Sequence, residues 1–149
     1  MPQPVKQSDS GSSGSSGSGG SGSATPTAQS MVYLGTPAGD VPVKVEVVAT
    51  EAQIEKGLMY RQHLPLDSGM LFLMGREYQW SFWMRNTLIP LDMIFIGKDM
   101  KVAGVAADAV PQTEDLRYVD KPSVYVLEVN AGWTRQHGVT PGQRIEIET

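Results

Sequence analysis

From Met31 onward, short runs of alternating apolar and polar residues recur, each closed by turn-forming residues, and this pattern restricts the chain to a β-rich fold. Val43, Val45 and Val47 alternate with Lys44 and Glu46, the period-two signature of a half-buried strand. Strands are predicted over 31–34, 41–49, 70–74, 79–84, 91–96, 101–106, 124–129 and 144–148. The run Gly35-Thr36-Pro37-Ala38-Gly39-Asp40 is turn chemistry and makes the first two strands a hairpin. Gly75-Arg76-Glu77 and Gly97-Lys98-Asp99 read as tight turns of the same kind. A polar loop occupies 110–122.

Only two helices fit between these strands. Thr50 and Gln53 form a capping-box pattern, and Ile54 and Leu58 share a helical face, which predicts a helix from Glu51 to about Tyr60. Gly57 inside it implies close approach of another backbone. A second helix is predicted from Asn130 to Gln136, stopped by His137-Gly138. There is no βαβ alternation and no internal repeat. The expected class is mainly β: a compact β-sandwich or barrel-like domain with two short α-helices.

The first thirty residues are different in kind. Ser8 to Ser23 is serine and glycine with one aspartate, and such a segment has nothing apolar to bury against the entropy of ordering. Residues 1–30 are therefore expected to be a disordered tail, either a native stalk or an engineered linker, and 31–149 one globular domain. Lys6 and Asp9 cancel, so the domain keeps the net charge of −4 of the whole chain. That acidity argues against nucleic acid, whose phosphates need a basic face. No apolar run approaches membrane-spanning length, and no apolar segment follows Met1 as in a signal peptide. Without cysteine there is no disulfide, thiolate nucleophile or Cys-bound zinc.

The densest chemistry lies in Phe82-Trp83-Met84-Arg85-Asn86-Thr87-Leu88-Ile89-Pro90-Leu91-Asp92. Strong hydrogen-bonding side chains among large apolar residues imply burial, and buried polar groups need partners. Trp83, Arg85, Asn86, Asp92, Glu128 and Asn130 are the candidate site residues, with Asp92 or Glu128 the expected carboxylate partner of Arg85. They form either a pocket, with Arg85 on an anionic group and a carboxylate as base, or a structural network pinning strand register and the helix at Asn130. Of Trp80 and Trp83, one is expected in the core and the other as a stacking platform or further packing. His63 and His137 lack metal-ligand spacing, and His137 is placed to meet the end of the second helix. Ser81 and Ser123 lack a nucleophile elbow, and no phosphate loop is present. Met59, Met70, Met74, Met84 and Met93 interleave with apolar residues as core filler. No cofactor, metal or catalytic residue is expected.

Gly57-Leu58-Met59-Tyr60-Arg61, Gly69-Met70-Leu71-Phe72, Phe82-Trp83-Met84-Arg85-Asn86-Thr87, Ile89-Pro90-Leu91-Asp92 and Val126-Leu127-Glu128-Val129-Asn130-Ala131-Gly132 occur in this order. Together, over roughly Val41 to Ile147, they resemble domain-of-unknown-function family 192, bacterial and archaeal proteins of which many are exported or lipid-anchored. The resemblance implies a compact, mainly β sandwich with helical additions, an exported, periplasmic or surface-tethered location, and no established catalytic residues. Two functions follow as expectations. One is a monomeric, non-catalytic extracytoplasmic binding or accessory module on a flexible tether, with a small molecule or a protein as partner. The other is a hydrolase or isomerase acting on a small polar or anionic substrate, with Asp92 or Glu128 as acid or base and Arg85 as anchor.

Overall fold

The structure, a computed structural model, describes residues 30–149 and the pair Gln3–Pro4. The tail expected over 1–30 otherwise lies outside the described residues. Strand β1 (Gln3–Pro4) runs parallel to the short β5 (Trp80–Ser81). The remaining strands are β2 (Ser30–Thr36), β3 (Gly39–Val48), β4 (Ser68–Tyr78), β6 (Leu91–Ile96), β7 (Val102–Ala109), β8 (Ser123–Asn130) and β9 (Ile145–Glu148). Helices α1 (Glu51–Lys56) and α2 (Trp133–His137) complete the described chain. The fold is mainly β, as expected.

One seven-stranded sheet in the order β7-β6-β8-β4-β3-β2-β9 carries the domain. It curls until its two edges touch. Lys101 bridges to Arg144, the Val102 amide donates to Gln143 O at 2.9 Å, and the Ile145 amide donates to Met100 O at 2.9 Å. The result is a half-barrel built from one sheet, and near-closure shields the edges that an open sheet would expose.

Alternation then sorts side chains to two faces. The inner face collects Val32, Val43, Leu71, Ile94, Leu127, Val129 and Ile145, with Trp133 of α2. The outer face of the central strands collects Met70, Phe72, Leu91, Met93, Phe95 and Val126, covered by Ile54, Leu58, Leu64, Phe82 and Met84 from α1 and the connections. Met59, Met70, Met84 and Met93 are buried, as core filler should be. Phe82 meets Phe72 and Phe95 edge-on, with ring centroids 5.0 and 6.2 Å apart.

Four local expectations are corrected. β3 and β4 pair in parallel, so α1 and the loop after it form the one departure from the meander here, a βαβ-like crossover that the sequence pattern had not signalled. Gly57 is not inside α1; it ends it at φ 48°, a conformation that favours glycine. Gly75-Arg76-Glu77 is no turn: β4 continues to Tyr78, and Gly75 at φ 86° sits where the β4–β8 register shifts. α2 begins at Trp133 rather than Asn130, because β8 extends through Asn130.

The capping box forms as its residues require: Thr50 Oγ1 accepts from the Gln53 amide at 3.1 Å and Gln53 Oε1 accepts from the Thr50 amide at 3.1 Å. Beyond α1, Arg61 donates to both oxygens of Glu46 on β3, the longer bond 2.8 Å, which ties the crossover to the sheet. This hydrogen bond is the main reason the Glu46 carboxyl lies below its ordinary 4.5. A depressed folded-state pKa contributes stability above the unfolded value that is lost as pH falls through the folded one. Both groups are well exposed, so the contribution is about 0.2–1 kcal/mol. Urea unfolding of Glu46→Gln is therefore expected to show a deficit of that size at pH 7 that closes at a pH below the folded pKa of Glu46; a deficit unchanged in acid would show that the pair acts through packing instead.

Candidate functional site

The segment after β5 is not strand. Phe82 exchanges backbone bonds with Arg117, 3.0 and 2.8 Å, and the Met84 amide donates to Thr113 O at 2.9 Å. These bonds suspend 82–84 between the outer core and the 110–122 loop. The Thr87 amide then donates back to Met84 O at 3.1 Å, closing a turn whose third residue, Asn86, has φ 54°. Asparagine tolerates that left-handed position, which is the local reason the chain turns here. Thr87 is buried and its hydroxyl donates to Arg85 O at 3.2 Å, fixing the turn from beneath.

The turn explains why burial splits within the block. Trp83 is only 8% exposed and packs inward, as expected for one of the two tryptophans. Arg85 and Asn86 sit on the tip and face outward. The expected buried pair of Arg85 with Asp92 or Glu128 is not formed. Arg85 instead lies over the Trp83 ring, 5.3 Å from its centroid, and its Nε is 3.7 Å from Glu114 Oε2. Apolar neighbours in sequence were a misleading guide to burial because the turn sends them to the opposite side of the backbone.

Across from this turn stands the end of α1. The Tyr60 amide donates to Asn86 O at 2.8 Å, joining the two family-like blocks Gly57–Arg61 and Phe82–Thr87. Tyr60 itself has φ 68°, unusual for a bulky residue, and its side chain is 63% exposed. Between the two elements lies an open cleft of about 410 Å³ lined by Ala52, Glu55, Lys56, Met59, Trp83, Arg85 and Asn86. Three of the six expected site residues thus share one cleft. The residues of α1 and Tyr60 had no functional signal in sequence beyond their place in the Gly57–Arg61 block.

The other three candidates are elsewhere. Asp92, on β6, pairs with Val129 and points to the inner face; Glu128, on β8, pairs with Met70 and Met93 and points to the outer one. Two carboxylates on opposite faces of a sheet do not share a site. Asp92 is fully buried and its oxygens accept from the amides of Asp108 (2.9 Å), Gly132 (3.2 Å) and Thr134 (3.0 Å) and from the Thr134 hydroxyl (2.6 Å). Gly132 has no side chain to cap α2, so Asp92 supplies the cap from another strand. Asn130 shares the outer face with Glu128, and its amide donates to Leu64 O at 3.0 Å, holding the crossover loop.

The histidines are apart from the cleft. His137 ends α2, its ring tilted against Trp133 with centroids 4.3 Å apart and its Nε2 3.9 Å from Asp67 Oδ1, while Gly138 caps the helix with its own amide. Among the described residues no group of three His, Asp or Glu side chains is arranged to hold a metal. No described helix is long and apolar enough to cross a membrane.

Contrasting costs follow for two residues that the sequence placed in one network. Asp92→Asn replaces an acceptor of four bonds with a group that must turn donors toward donors, and about 3 kcal/mol of stability should be lost. Arg85→Met removes an exposed side chain with one loose ion pair, so its loss should stay within about 1 kcal/mol. Chemical denaturation of both variants measures this. Equal costs would mean that Arg85 is part of the structural network after all.

Comparisons with known proteins agree with this architecture. A structure from Novosphingobium aromaticivorans DSM 12444, of a protein of unknown function, superposes with a TM-score of 0.76 at 40% identity, covering 78% of this chain and 83% of that one. A Sinorhizobium meliloti 1021 protein, whose name proposes a transcription regulator, superposes with a TM-score of 0.77 at 39% identity, covering 84% of this chain and 98% of that one. No curated protein matches. The family model for domain of unknown function 192, described as an uncharacterized ACR, matches residues 34–147, and the chain belongs to that family.

Proposed function

We propose that this domain is a non-catalytic binding module, displayed outside the cytoplasm on its N-terminal Ser/Gly-rich segment, and that its ligand sits in the cleft between α1 and the Met84–Thr87 turn. The observation that carries this reading is the division of the polar residues. Asp92 is saturated by four hydrogen bonds within the protein, whereas Arg85 and Asn86 stand on an open turn beside Trp83. Acid–base chemistry with Arg85 as anchor needs a carboxylate within reach of the same reacting atom; Asp92 lies on the inner face, Glu128 is fully buried under the outer covering, and neither lines the cleft, which supports binding instead.

Two features of the cleft favour a working surface. Non-glycine residues in left-handed conformations, Tyr60 and Asn86, meet across it through a backbone bond. Such strain concentrates at binding and catalytic sites. Aromatic and cationic groups together, Trp83 and Arg85, also recur where binding energy is concentrated. The extracytoplasmic setting is supported by the family resemblance and by the Ser/Gly-rich stretch ahead of the domain. The transcription-regulator name of the Sinorhizobium relative finds no support in the acidic charge of this chain, −4, which is ill suited to phosphate backbones.

A thermal-shift screen of the full chain against sugars, nucleotides, organic acids and peptides tests the reading, because a ligand of the native state raises its melting temperature by mass action. Ala52 is exposed on the wall of the cleft, and Ala52→Trp should fill it without disturbing either core. The expected result is a stabilising ligand whose effect is lost in this variant. A panel with no stabilising ligand, or one that stabilises both proteins equally, contradicts the proposal.

A further inference from the structure

Arg85, Asn86 and Lys56 bring to the walls of the cleft hydrogen-bond donors that have no acceptor among the described residues. Arg85 makes no hydrogen bond to a described residue; its one ion pair, Nε to Glu114 at 3.7 Å, is loose. The Asn86 amide and the Lys56 ammonium likewise have no hydrogen-bond partner among the described residues, and both line the cleft. Trp83 is 8% exposed, and its indole N–H, a group that can only donate, is buried without an acceptor. Native proteins seldom leave a buried donor unmet, because its lost hydration is not recovered. Lys56 and Arg85 outnumber Glu55 on the walls, and Ala52, Met59 and the Trp83 ring add apolar surface.

From this arrangement we infer that the cleft takes a carboxylate carried on an apolar body, with Arg85 and Asn86 meeting the anionic oxygens and the Trp83 ring, Met59 and Ala52 receiving the apolar part. The inference rests on the cleft being the binding site and names the ligand class for it. A planar carboxylate matches the guanidinium fork of Arg85. A phosphate monoester brings a second charge toward Glu55 and matches less well. Glu114 is an internal competitor. It reaches Arg85 from the 110–117 region with the same chemical group, at a distance too long for a hydrogen bond, and a ligand carboxylate would displace it. The same chemistry is offered by a free organic acid or by the C-terminus of a peptide.

Titration of the full chain followed by nitrogen–proton NMR tests this, since the three tryptophans give three resolvable indole signals and Trp133 lies in the inner core as a control. Hexanoate, hexanamide and N-acetyl-Leu-Ala with a free or amidated end are the probes. Hexanoate should shift the Trp83 indole and Asn86 amide signals in a saturable manner and leave Trp133 unmoved. Hexanamide should bind at least about tenfold more weakly, the ratio expected for loss of a charge-assisted bond. Arg85→Met should weaken hexanoate by a similar factor while keeping the Trp133 signal of the folded core. Glu114→Gln should tighten hexanoate several-fold by removing the competitor. Tighter binding of the free-ended dipeptide than of hexanoate identifies a chain terminus as the source, and equal binding a free acid. Equal shifts with hexanamide and hexanoate overturn the anionic class and leave the cleft as a binding site. No shift with any of these probes also overturns it; whether the cleft itself falls is then decided by the Ala52→Trp comparison, which does not depend on ligand charge.

Discussion

One buried carboxylate organises the end of this half-barrel against which α2 is seated. Asp92 has no exposed surface and accepts four hydrogen bonds, from the end of β7 at Asp108, from Gly132 before α2, and from the amide and hydroxyl of Thr134 within it. The Thr134 amide and hydroxyl would otherwise be buried unmet at the start of α2, and the Asp108 and Gly132 amides are part-buried groups at a strand end and before the helix. A charge with four donors is well compensated for its lost hydration, and a charge with fewer is not. The network therefore acts as a unit. It seats α2, whose Trp133 enters the inner core and donates to Asp67 Oδ1 at 2.9 Å, so the loop before β4 is secured through the same helix.

The two faces of the sheet take different tasks. The inner face is closed by curling and by α2. The outer face is covered by α1, the loop after it and the 82–87 segment, none of which is part of the seven-stranded sheet. Coverings of this kind are positioned by the scaffold yet free to present side chains outward, which is where binding groups are usually found. The Met84–Thr87 turn does this directly: Met84 and Thr87 are buried, and Arg85 and Asn86 project between them. The 110–117 region braces the turn through backbone bonds from Met84 to Thr113 and between Phe82 and Arg117, and contributes Glu114 to its charge balance.

Much of the scaffold was legible in residue patterns, because local rules govern it. Alternation in β3, the capping box of α1 and the Gly97-Lys98-Asp99 turn between β6 and β7 each depend on neighbours within a few positions. The parallel β3–β4 pair was not legible, since α1 is only six residues long and gives a weak crossover signal. The site was half legible. Composition identified Trp83, Arg85 and Asn86 as unusual, but not that a left-handed Asn86 turns the chain and separates their environments. Asp92 and Glu128 were grouped with Arg85 by shared chemistry. Which face of a sheet each occupies is set by register, and register is fixed only when the strands pair. Nor does any local rule indicate that Lys56 and Met59 stand opposite Trp83.

The central claim is that Asp92 serves the architecture, and that the proposed binding cleft between α1 and the turn is built without it. Native-state hydrogen exchange on the wild-type chain tests it most directly, because amides held by a structural hub open only when the whole domain opens. The Asp108, Gly132 and Thr134 amides, all bonded to Asp92, should exchange with the free energy of global unfolding measured by denaturant. Exchange of these three by a local opening several kcal/mol cheaper than global unfolding would contradict the account, and would return Asp92 to the list of groups available for chemistry.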